Sequence, residues 1–169
     1  AARLVRRYDF VQRALQQADV EVWHHPFVQS VEQLLQEHGD EYELVMICRH
    51  YIAARYIDAV RARAPRARIV FDTVDLHYLR EQRLAELEQS ATLAAAAATT
   101  RRQELGIIAR SDITLVVSPV EQELLAAEAP GADVRVLSNI HELRPAPRPY
   151  GEREGLLFVG GFRHPPNVD

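Results

Sequence analysis

Two spacings of apolar residues alternate along this chain. Short continuous runs occur at Val20–Trp23, Leu44–Cys48, Ile69–Phe71, Ile113–Val117 and Val134–Leu137. Runs of that length, bounded by polar or turn residues, predict strands. Their continuity predicts burial on both faces of a parallel sheet. Between them, apolar residues recur every three or four positions, as on a helix face. Val28–His38 carries Val28, Val31, Leu34 and Leu35 on one face and stops at Gly39. Ile52–Ala64 turns Ile52, Tyr56, Ile57 and Val60 inward and ends before Pro65. Leu79–Ala109 reads as a long helical region with a break expected at the adjoining β-branched pair Thr99–Thr100. Ser118-Pro119-Val120-Glu121 is a helix start, with Ser as N-cap, Pro in the first turn and Glu three residues after the cap. Alternation of strand and helix predicts an α/β fold: a Rossmann-like parallel sheet flanked by helices in three layers.

The pattern changes near residue 144. Arg144–Tyr150 holds three prolines in seven residues and reads as a linker. Leu156–Val159 then opens a new apolar strand, followed by Gly160-Gly161-Phe162-Arg163. The expected organisation is a Rossmann-like domain over residues 1–143, a Pro-rich linker over 144–154, and the first strand and loop of another α/β domain over 155–169. The chain is read as an internal piece of a longer protein, lacking the start of its first domain.

Polar chemistry gathers at one place. The strand Ile69–Phe71 empties into Asp72, Asp75, His77 and Arg80, and open α/β sheets bind ligands beyond the carboxyl ends of their strands. His77 is the sharpest candidate for contact with a substrate hydroxyl or a developing charge, with Asp75 to orient it. The plainer alternative is a helix start capped by Asp72 or Asp75, with His77 merely exposed. Arg80 and Arg83 suit a bidentate contact to phosphate, or a solvated helix face. Asp72-x-x-Asp75 lacks a further carboxylate cluster beside it and argues against a metal pair. His24-His25 would point to opposite strand faces, which argues against a shared metal. Ser118 and Asn139 each follow a strand, as ligand contacts or as cap and turn residues. Gly160 and Gly161 allow a close backbone approach to a diphosphate, or make an ordinary turn.

Composition narrows the chemistry. The 169 residues are 47% apolar and 26% charged, with net charge -4, which gives no nucleic-acid footprint. All 20 basic residues are Arg, which excludes a Schiff-base or phosphate-loop lysine. Cys48, in an apolar run, reads as a buried inert thiol, and a single Cys suits a reducing compartment. No apolar stretch reaches the roughly 18 residues that span a bilayer, and the N-terminal residues lack a signal-peptide core. The expected location is the cytoplasm, with the inner membrane face as a place of work. Dinucleotide, NTPase, nucleophile-elbow and CxxC motifs are absent from the sequence.

Three strand ends, Phe71-Asp72-Thr73-Val74-Asp75-Leu76-His77, Val116-Val117-Ser118-Pro119-Val120-Glu121 and Leu137-Ser138-Asn139, together with Leu157–Asp169, resemble glycosyltransferase family 4 in order and spacing. The resemblance runs from about Asp40 to the end. It implies a GT-B fold, two Rossmann-like domains across a cleft. It further implies retaining transfer of a sugar from a nucleotide diphosphate sugar to a glycan or lipid-linked acceptor, with no metal and no other cofactor. By the resemblance His77 reaches the transferred sugar from the acceptor side, Asp75, Arg80, Ser118 and Asn139 line the substrate side, and Gly160, Gly161 and Arg163 lie near the donor diphosphate. The family often places Arg directly after the first glycine; here Gly161 stands there and Arg163 follows two residues later. A non-catalytic flavodoxin-like interaction or regulatory domain is the alternative. A Rossmann-type epimerase is a third reading, disfavoured by the missing GxGxxG. The expected partners are the nucleotide sugar, the acceptor and the C-terminal domain, with peripheral membrane association and no nucleic acid.

Overall fold

The computed structural model describes residues 11–142, 145 and 148–157. The chain divides into two units, Ala1–Asn139 and Ile140–Asp169. The first holds a parallel sheet of β1 (Leu44–Cys48), β2 (Arg68–Asp72), β3 (Ile113–Val116) and β4 (Val134–Val136), in that spatial order. Its helices are α1 (Val31–His38), α2 (His50–Arg63), α3 (His77–Leu87), α4 (Ala91–Ile108) and α5 (Pro119–Glu128). Residues 11–17 are helical too. A parallel sheet flanked by helices is the expected Rossmann-like α/β class. In the second unit, a short 3-10 turn spans Tyr150–Glu152.

The core follows from strand alternation. Register pairs Val45 with Ile69 and Ile47 with Phe71, and this row meets Ile57 and Val60 of α2, Ile107 and Ile108 of α4, and Leu125 of α5. Ile57, Ile69, Phe71 and Leu125 are fully buried. The intervening row behaves differently on β1, where Leu44 and Met46 are 55% and 49% exposed. Among the described residues β1 is an edge strand, so the continuous apolar run does not mean burial on both faces. Cys48 ends that strand and is exposed, not buried as expected.

Three further expectations are corrected. Val20–Trp23 forms no strand; Val20 and Trp23 remain 44% and 43% exposed and no ladder partners the segment. α1 begins at Val31 because Ser30 accepts a hydrogen bond from the Gln33 N–H and fixes the start there. The long helical region breaks at Gln89–Ser90 and not at Thr99–Thr100. Gln89 has φ of 48° and Ser90 caps α4 through the Leu93 N–H. Thr99 stays inside α4, returning its hydroxyl to the Ala95 carbonyl.

Candidate functional site at the carboxyl ends of the strands

Every parallel strand delivers its carboxyl end to the same edge. After β1 come Arg49 and His50, after β2 Thr73 to His77, after β3 Val117 and Ser118, and after β4 Leu137 to Asn139. Short bonds stitch the edge together. The Arg49 N–H donates to the Asp72 carbonyl at 2.9 Å, Thr73 N–H to Leu115 at 3.1 Å, and Leu137 N–H to Val116 at 2.8 Å. Ser118 caps α5 through the Glu121 N–H at 3.3 Å. The Glu121 carboxylate accepts from the N–H of Leu76 at 3.2 Å and of Val117 at 3.0 Å, joining the ends of β2 and β3. Ser118 is therefore a cap. Ser138 donates its hydroxyl to the Val117 carbonyl, and Asn139 beside it is exposed.

Two residues here hold a left-handed backbone without being glycine. Arg49 has φ of 74° and Val74 has φ of 65°. For a β-branched side chain this is costly, of order 1–3 kcal/mol. The surroundings enforce it at Val74, whose N–H is held by Asp72 Oδ1 at 3.0 Å, between buried Thr73 and buried Leu76. Asp72 thus shapes the turn and does not cap the following helix.

The start of α3 is capped from a distance. Its N-cap, Leu76, has no capping side chain. Glu104 of α4 supplies one: Oε1 accepts from the His77 N–H at 3.2 Å and Oε2 from the Tyr78 N–H at 2.9 Å. Glu104 is fully buried. Burial pushes its carboxyl pKa up, while those two backbone donors oppose the shift.

His77 is buried, with 7% of its side chain exposed, against the reading of an exposed helix-start residue. Nδ1 lies 3.1 Å from the Asp75 carbonyl and 3.3 Å from Asp75 Oδ1. Arg80 pairs with the other carboxylate oxygen of Asp75. Asp75, His77 and Arg80 therefore form one connected group. His50, the first residue of α2, lies against it, its ring centroid 4.6 Å from that of His77. Burial is the main cause lowering the His50 pKa, with the His77 ring adding to it. Tyr51 also faces His77, with centroids 6.4 Å apart. Cys48 sits beside Asp72; the partial burial of its thiol, then Asp72, push its pKa up, so it is a protonated thiol at neutral pH.

Asp75, His77 and Arg80 come together; Ser118 and Asn139 stand at neighbouring strand ends. Gly160, Gly161 and Arg163 lie outside the described residues. His50 and Glu104 were missed in the sequence, although His50 lies two residues past the end of β1. Among the described residues, no helix is long and apolar enough to cross a membrane. Comparison with family models, curated proteins and solved structures finds no match for this chain.

Proposed function

We propose that this edge is the acceptor-facing wall of a sugar-transferring enzyme, in line with the resemblance to glycosyltransferase family 4. The observation that carries the reading is the strained, enclosed setting of His77. Left-handed residues Arg49 and Val74 flank its two neighbouring strand ends, and Asp75 holds its Nδ1. Strain of this kind persists where surrounding structure over-determines it, as at ligand sites.

In this reading Asp75 accepts the Nδ1–H, which leaves Nε2 as the lone-pair nitrogen facing a hydroxyl. Arg80 holds Asp75 in place through their ion pair. Ser118 and Asn139 border the acceptor. The reaction breaks the bond from the anomeric carbon to the donor diphosphate and forms one to an acceptor oxygen, with retention. The leaving diphosphate is neutralised by backbone N–H groups and Arg163 near Gly160 and Gly161, without a metal. The enzyme works in the cytoplasm on a glycan or lipid-linked acceptor. A screen of nucleotide diphosphate sugars on the parent protein, with products read by mass, tests this. A product heavier by one sugar unit supports the reading; no transfer from any donor to glycan or lipid-linked acceptors removes it.

A further inference from the structure

Among the described residues, the buried side-chain polar atoms with no hydrogen-bond partner are His50 Nδ1 and Glu81 Oε2. Both belong to one neighbourhood, since Glu81 is close enough to act on the charge of His50. Unpaired buried polar atoms are costly and call for an explanation. Around them, His50 Nδ1 lies 3.9 Å from Glu104 Oε1, and His77 Nδ1 lies 3.8 Å from the same oxygen. One ligand atom from each of the three residues falls within 4.8 Å of the others.

We propose that His50, His77 and Glu104 bind a late first-row divalent cation of the zinc class. Tetrahedral zinc, with bonds of about 2.0–2.2 Å, sets its ligand atoms about 3.3–3.5 Å apart. The two imidazole–carboxylate spacings need a contraction of about half an ångström to reach this, and a spacing at the 4.8 Å bound needs more than one. Two imidazoles and one carboxylate suit zinc, cobalt or nickel and not magnesium, which demands oxygen ligands. His50 and His77 each open a helix, α2 and α3. Neutral imidazole is the ligating form. Glu104, fully buried, and Glu81 supply negative charge to offset the ion.

The ion takes His77 Nδ1 from Asp75 and leaves the ring proton on Nε2. The site stands on these residues alone and competes with the transferase reading for His77, because the metal-bound ring presents Nε2–H where transfer calls for a lone pair.

The test uses the full chain stripped with chelator and titrated with cobalt chloride, followed by its visible absorption, then with zinc chloride in competition. Intense tetrahedral cobalt bands saturating at one equivalent are expected, displaced by zinc and untouched by magnesium. His50→Ala should weaken binding by at least about tenfold, as should the conservative Glu104→Gln. Cys48→Ala and His24→Ala should leave it unchanged. No cobalt bands at millimolar metal overturn the proposal, as does binding that survives both substitutions. Binding lost in Cys48→Ala but not in His50→Ala also overturns it.

Discussion

The two ends of the sheet hold polar clusters of similar composition and opposite economy. At the amino end, Asp112 accepts from the Ile69 N–H at 2.6 Å and pairs with Arg61 at 2.9 Å. Arg61 also donates to the Arg110 carbonyl, and Arg110 pairs with Asp58. Every group named there has a partner, and the backbone closes tightly: a Cβ on Gly39 would meet the Arg63 carbonyl oxygen at 2.4 Å. At the carboxyl end, Glu104 and Glu121 cross-link strand and helix ends in the same manner. Yet two backbone residues remain strained and His50 Nδ1 is unpaired. The amino end spends its polar groups on folding; the carboxyl end keeps some in reserve, which is what a ligand site requires.

Substitutions at the two ends should separate these roles. The largest effect is expected for Glu104→Ala, which leaves two buried N–H groups at the start of α3 uncapped and should cost about 3 kcal/mol in urea unfolding. A loss below 1 kcal/mol would show that the cap is dispensable. Gly39→Ala should cost about 2 kcal/mol by the same measurement, because the obstructing atom is backbone and cannot swing away. An unchanged midpoint would mean that the amino end is looser than it looks.

Val74→Gly should act in the opposite direction. Relief of the left-handed strain should stabilise the chain by about 1 kcal/mol, whereas Val74→Ala, which keeps a Cβ, should not. Destabilisation by the glycine would show that no strain is held there. The smallest effect concerns Asp112, whose pKa is lowered first by the Ile69 N–H and also by Arg61. A folded-state pKa below the unfolded one means that its contribution is fully present above about pH 4 and is lost as pH falls through the lowered value. Asp112→Asn should flatten the acid limb of the stability profile and leave the neutral-to-basic limb parallel to that of the original chain.

Legibility in the sequence followed the range of the interactions. The start of α5 could be read because Ser118, Pro119 and Glu121 act within one turn. The strand ends could be read as well, since parallel topology sends them all to one edge. Cys48 could not, because its exposure depends on β1 being at the sheet edge, and strand order is not a local property. Glu104 looked like any helix residue. Its capping role arises only when α4 packs against α3 and places it beside His77, 27 positions away in the chain. The break at Gln89–Ser90 had a local signal, a serine before an alanine run, which the more conspicuous threonine pair obscured.

The proposal that His77 faces a reacting sugar is tested most directly by sugar transfer measured with and without His77→Gln. The account predicts a fall of about a hundredfold or more with the urea midpoint little changed, because glutamine keeps a polar side chain of similar reach. A transfer rate equal to that of the unsubstituted protein would contradict it.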